Sequence, residues 1–133
     1  SARIRRERWL ASGADIDHLA GAGRGRLDLV DGSAEIVPGL EVHHVGGHTA
    51  GMQVVRVQTA SGTVVLASDA AHFHENLTAD HPPPILHSVP GVHAAFDRLL
   101  ELAGTDGLVV PGHDPRVMSG ARPASDADVV RLA

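Results

Sequence analysis

A mixed α/β domain is what this sequence predicts, and three observations carry the prediction. Short apolar runs separated by turn residues fill positions 34 to 67, the pattern of strands. From Val92 to Ala103 the apolar residues instead recur at three and four, the stripe of a helix packed on a sheet. A further short apolar run, Leu108 to Val110, follows that helix, so a strand, a crossover helix and a strand occur in succession.

Each element has a local reason. Residues 1 to 20 read as locally helical or irregular. Their cluster Arg3, Arg5, Arg6 and Arg8 reads as a solvated helix face, because Glu7 interrupts it and no aromatic residues interleave. Gly21-Ala22-Gly23-Arg24-Gly25 reads as a flexible turn. Leu27 and Leu29 then alternate with Arg26 and Asp28, which predicts extended chain. Ala34 to Val37 and Leu40 to Val45 are two short strands divided by the turn pair Pro38-Gly39. Met52 to Thr59 and Thr63 to Ala67 form a hairpin across Ala60-Ser61-Gly62. Val64-Val65-Leu66-Ala67 is apolar on both faces, as in a strand at the middle of a layered structure. Ser88 caps the helix and Pro90 lies in its first turn; Val92, Ala95, Phe96, Leu99, Leu100 and Ala103 form its buried stripe, and Gly104 ends it.

Composition narrows the function. A chain of 133 residues normally forms one domain, and its 43% apolar content supports an aliphatic core with Trp9, Phe73 and Phe96 as the aromatics. A net charge of -5 argues against nucleic-acid or anionic-membrane partners. All eleven cations are Arg and there is no Cys, so any metal must be held by His and carboxylates. No apolar run reaches the roughly 20 residues of a membrane span, and no signal-type apolar segment follows the N-terminal arginines. The expected location is the cytoplasm.

Three loops carry groups suited to a transition metal. His48 sits among glycines after an extended run, Asp69 ends a buried strand, and His113 follows Pro111-Gly112 beyond another. Ligands in α/β sheets bind outside the carboxyl ends of strands, and all three positions obey that rule. One carboxylate can bridge two cations through its two oxygens. Among the remaining histidines, His43 and His44 are adjacent in a strand and point to opposite faces. His18, His81, His87 and His93 read as loop or helix-surface residues, Asp114 as a group that orients a ligand or caps the following turn, and Thr49 as a loop-holding hydroxyl.

At these residues the chain resembles the C-terminal half of a metallo-β-lactamase-fold hydrolase, and within that superfamily the N-acyl homoserine lactonase branch. Gly47-His48-Thr49-Ala50-Gly51 is similar to the family's Gly-His-Thr-Pro-Gly motif. Ser68-Asp69-Ala70-Ala71-His72-Phe73-His74-Glu75-Asn76 resembles its bridging-aspartate segment, and Pro111-Gly112-His113-Asp114 the segment of the last histidine. The likeness covers most of residues 27 to 120. It implies a single partial domain over 1–133, one half of an αββα sandwich. It implies two zinc ions, with His48 on the first, Asp69 bridging and His113 on the second, and lactone opening by metal-activated water, with Asp69 and His72 as catalytic residues.

Two departures shape the expectation. The family's His-x-His-x-Asp-His motif is absent; His72-Phe73-His74-Glu75 comes nearest but lies after Asp69. With His48, Asp69 and His113 alone each metal has about two protein ligands, where zinc normally has three or four. Weak or no metal binding by this chain alone is therefore expected, with the other ligands supplied by an N-terminal half. Secondly, His72 stands where such lactonases often carry Tyr, which implies donation to the substrate carbonyl or oxyanion. Other readings are a truncated non-catalytic half-domain or binding module and a glyoxalase II-like thioesterase. An aliphatic sheet face over Met52–Thr59 and Thr63–Ala67 would be left open, which predicts a homodimer or a companion polypeptide.

Overall fold

The computed structural model of the chain describes residues 12–22, 28–120, 122–123 and 130–132. They fall into two units, Ser1–Asp31 and Gly32–Ala133. The arginine cluster at positions 3 to 8 and the glycines at 23 and 25 lie outside the described residues. In the first unit, Gly13–Ala22 forms helix α1, with the Ser12 hydroxyl accepting from the Asp15 N–H at 3.3 Å. Residues 28 to 30 are not a strand, and Leu29 is exposed, which corrects the predicted extended chain at those positions; Arg26 and Leu27 lie outside the described residues.

The second unit is a five-stranded sheet in the order β1-β2-β3-β4-β5. Its strands are β1 (Ala34–Val37), β2 (Leu40–His44), β3 (Gln53–Thr59), β4 (Gly62–Ser68) and β5 (Leu108–Pro111). The first four pair antiparallel, and β5 pairs parallel to β4. The connection to β5 runs through α2 (His74–Thr78) and α3 (Val89–Ala103), as the strand, helix, strand succession predicts. Ala60-Ser61 turns the predicted hairpin, and the turn at Pro38-Gly39 joins β1 and β2 as a second one. Beyond β5 come a short helix α4 (Arg116–Gly120) and a small pair, β6 (Arg122–Pro123) with β7 (Val130–Arg131). No helix among the described residues is long and apolar enough to cross a membrane.

Helix α3 begins as its sequence predicts: the Ser88 hydroxyl accepts from the Gly91 N–H at 3.1 Å, Pro90 lies in the first turn, and Gly104 closes the end. Its apolar stripe packs Val92, Phe96 and Leu99 on Val54, Val65 and Ala67 of the sheet. One stripe position differs from expectation. Leu100 is exposed and Leu102 is buried in its place, because periodicity locates the stripe but not which of its flanks the sheet covers. Arg56 fastens the far end of the helix, donating from Nε to the Leu102 carbonyl at 3.1 Å and from a terminal nitrogen to Glu41 at 2.8 Å.

The opposite sheet face is aliphatic from β2 to β5. Register aligns Val42, Val55, Leu66 and Val110 in one row, and Leu40, Val57, Val64 and Leu108 in a second. Cross-strand partners share a face, so these rows form a continuous apolar surface on the side away from α3. It is wider than the two strands from which the sequence predicts it. Leu66 is 39% exposed and Leu108 is 38% exposed. A groove of about 230 Å³ beside β5 continues this surface, lined by Leu108, Val110, Val117 and Leu132 with His74 and Arg116 at its polar end.

Candidate metal centre

Topology brings the three loops together. Since β2 is antiparallel to β3, β3 antiparallel to β4, and β4 parallel to β5, strands β2, β4 and β5 all run the same way. The loops that leave them therefore emerge along one edge of the sheet. His48, Asp69 and His113 are on those loops.

The local chain then aims each side chain. Ser68 ends β4 in the left-handed region at φ 47°, unusual for a residue with a Cβ, and turns the strand so that Asp69 projects from the edge. That conformation costs roughly 1–2 kcal/mol, offset here by the Ala70 N–H to Ala67 carbonyl bond at 3.0 Å and by the burial of Ala70 and Ala71. Gly112 lies against the same turn: a Cβ at Gly112 would sit 2.7 Å from the Ser68 carbonyl. Only glycine lets the chain after β5 come that close. From there Gly112 N–H donates to the Ala71 carbonyl at 3.0 Å and His113 N–H to the His72 carbonyl at 2.9 Å, which joins the second and third loops.

The first loop is fixed from the side of α3. Gly47 has φ 83°, and a Cβ there would be 2.9 Å from the Gly91 backbone. The Gly47 carbonyl accepts from His87 and Ser88 N–H at 3.0 and 3.1 Å. His48 Nδ1 is 2.9 Å from the Ile85 carbonyl. A carbonyl only accepts, so Nδ1 carries the proton and Nε2 presents its lone pair. That is the tautomer of a metal-ligating histidine held by an outer partner.

Asp69 stands between two imidazoles, one to each oxygen. His113 Nε2 lies 2.7 Å from Oδ1, and His48 Nε2 lies 3.6 Å from Oδ2. The His72 ring is edge-on to both, its centroid 5.5 Å from that of His48 and 4.9 Å from that of His113. Its Nε2 is buried and has no hydrogen-bond partner among the described residues. One ligand atom each from Asp69, His72 and His113 lies within 4.8 Å of the others. Burial, and after it the neighbouring His113 and His48, lower the His72 pKa, with Asp69 acting the other way. The ring is thereby held in the neutral form that binds metals. A buried nitrogen without a partner, next to a carboxylate and two further imidazoles, is a donor set that fits a divalent transition metal such as zinc.

Thus the four residues singled out in the sequence, His48, Asp69, His72 and His113, converge. Asp114 has a different task. It is buried and receives bonds from His74 N–H at 2.9 Å, His74 Nδ1 at 2.6 Å and Arg116 N–H at 2.9 Å, so it clamps α2 to the turn that follows His113. The Arg116 guanidinium, then the backbone N–H groups of His74 and Arg116 and the His74 ring, hold its carboxyl far below the usual carboxylate range against the effect of burial. A depressed folded-state pKa contributes stability above the unfolded value near 4, and that stability is lost as pH falls through the folded value. Asp114→Asn is therefore expected to unfold at lower urea concentration than the native chain at pH 7, in the presence of chelator. The gap should persist down to about pH 5 and shrink only in strong acid. A gap that stayed constant into strong acid would show that the charge of Asp114 is not what matters.

His43 is buried and His44 exposed, on opposite faces, and His93 pairs with Asp80 at 2.7 Å. The first loop is closed by the Thr49 carbonyl, which accepts from Met52 N–H at 3.3 Å. Three contributors were missed. The Ile85 carbonyl has no sequence signal, being backbone 37 residues from His48. The packing of Gly112 on Ser68 was equally invisible. The role of His74 rests on Asp114, 40 positions away in the chain, and so has no local sequence signal.

No family model matches the chain. It is 38% identical over 95 residues to an N-acyl homoserine lactonase of Bacillus sp, covering 69% of this chain and 34% of the relative. It is 34% identical over 95 residues to an N-acyl homoserine lactonase of Bacillus cereus, with the same coverage. Among solved structures it superimposes at TM-score 0.64 on an N-acyl homoserine lactone hydrolase with its product N-hexanoyl-L-homoserine bound at the catalytic metal centre. That match is 27% identical and covers 71% of this chain and 38% of the other. The chain is a partial homologue of the N-acyl homoserine lactonases, on the metallo-β-lactamase fold. A dizinc quorum-quenching lactonase shares this fold at TM-score 0.59 and 17% identity, over 86% of this chain and 39% of that one. The lactonase homologue spans about a third of the length of the curated relatives it matches.

Proposed function

We propose that this chain is the C-terminal half of a metal-dependent hydrolase of the lactonase type, one that opens the ring of a small-molecule lactone such as an acyl homoserine lactone. The observation that carries the reading is the convergence of His48, Asp69, His72 and His113 where three parallel strands end. In this reading His48, Asp69 and His113 would hold zinc or a similar divalent ion. A divalent ion bound there supplies a Lewis acid that polarises the carbonyl and lowers the pKa of water. The residues do the rest. His48 is kept in one tautomer by Ile85, so its lone pair faces the cluster. His113 is the most exposed of the cluster, with 58% of its side chain accessible, and borders the approach of substrate. Asp69 and His72 would face the reacting carbonyl of the bound lactone.

The open sheet face supports a second part of the proposal. Its two aliphatic rows are what an N-terminal half carrying His-x-His-x-Asp-His would cover, and the match to this chain spans only 34% of the lactonase relative. The test is to combine this chain with such a half and to follow ring opening of an acyl homoserine lactone by proton release. Hydrolysis that is lost with chelator and restored by zinc is expected. Turnover of acyl thioesters but not lactones would replace the reading with a glyoxalase II-like one. Failure on both, by a complex that is folded and metal-loaded, would favour a non-catalytic binding half. Chromatographic mass of the chain alone separates a heterologous partner from a second copy on the open face.

A further inference from the structure

Building on the reading of this cluster as a metal site, we infer that His72 is itself a ligand. Asp69, His72 and His113 then form a three-donor site for one divalent transition-metal ion within this chain, with His48 as the fourth donor. Neither the motif likeness nor the ligand count from the sequence includes His72. The geometry does. Ligand atoms of Asp69, His72 and His113 lie within 4.8 Å of one another. At metal–ligand distances of about 2.0–2.2 Å a tetrahedral ion sets its donors roughly 3.3–3.6 Å apart, so small side-chain rotations close the site. His113 Nε2 and Asp69 Oδ1 are already 2.7 Å apart, and an ion bound to both would take the place of their shared proton.

His72 Nε2 is the most telling atom. It is buried without a partner among the described residues, and a buried polar nitrogen is ordinarily satisfied. Its ring lies against those of His48 and His113, at 65° and 69° to them, so it can face an ion that they share. His48 arrives with Nδ1 engaged by Ile85 and Nε2 3.6 Å from Asp69. Three imidazoles and one carboxylate complete a four-coordinate site for zinc or cobalt. A nitrogen bound to a cation has no proton to give. His72 therefore acts on substrate through the ion and not as the oxyanion donor that its place in the sequence suggests. The count also rises from about two ligands per metal to four for a single ion, which reverses the expectation that the chain alone binds metal weakly.

The test uses the 133-residue chain and cobalt(II) alone, followed by visible d–d absorption, with zinc competition to rank affinities. One ion per chain with the intense spectrum of four-coordinate cobalt is expected. His72→Phe and His72→Tyr should weaken affinity at least about tenfold and change the spectrum, while circular dichroism remains that of the native chain. If both variants bind cobalt like the native chain, while His113→Ala and Asp69→Ala do not, His72 is no ligand and the metal-site reading survives. If the native chain binds no cobalt, the inference fails. The broader reading then falls only if the complex with an N-terminal half binds none as well.

Discussion

Replacing Asp69 with alanine in the completed protein is expected to reduce lactone hydrolysis on the order of 10³-fold or more. Asp69 meets both flanking imidazoles through its carboxylate oxygens, His113 at 2.7 Å and His48 at 3.6 Å. Its removal leaves three imidazoles without the anionic centre that gathers them and deletes the group able to serve two ions at once. The loss should appear in kcat with the protein still folded, because the side chain is 41% accessible and fills no core space. Metal content measured on the same sample should fall in parallel. Activity within about tenfold of the native protein would show that Asp69 lies beside the reaction and not in it.

Leu99→Ala is the largest effect expected on stability. Leu99 is fully buried at the middle of α3, in the cluster formed with Val54, Val65, Ala67 and Phe96. Truncating such a leucine removes its transfer energy and leaves a cavity, at a cost of about 3 kcal/mol. Domains of this size have about 5–15 kcal/mol in total, so the midpoint of thermal unfolding should drop on the order of 10 °C. The consequence reaches the site. The start of α3 is where Gly47 rests on Gly91 and where Ser88 N–H meets the Gly47 carbonyl, so the variant should also loosen His48 and weaken metal affinity. A loss below about 1 kcal/mol would mean that α3 is not the cover of this sheet.

The hairpins at Pro38-Gly39 and Ala60-Ser61, the Ser88 cap and the crossover to β5 were legible because each depends on neighbours a few positions away. The misreadings share one cause. Whether Leu29 pairs, and whether Leu100 or Leu102 is buried, depends on what lies opposite, and periodicity does not carry that information. At the site, the glycine-flanked His48, the strand-ending Asp69 and the Pro-Gly-His of the last loop were visible as donor types in suitable loops. The proximity of His72 to His113, the Ile85 carbonyl behind His48 and the Asp114 clamp were not, since each joins segments far apart in the chain.

By itself, then, the sequence determined which donors exist, that cysteine and lysine take no part, and which short segments extend, turn or coil. Those are properties of residue type and near neighbours. Only the tertiary structure decided that His48, Asp69, His72 and His113 share one corner, that Asp114 works in the clamp beside it, and that two aliphatic rows, with Leu66 and Leu108 exposed, line the other side of the sheet. The physical reason is the parallel crossover through α3. It lays β5 beside β4 in the same direction and so brings together residues 44 positions apart, Asp69 and His113, at hydrogen-bonding distance.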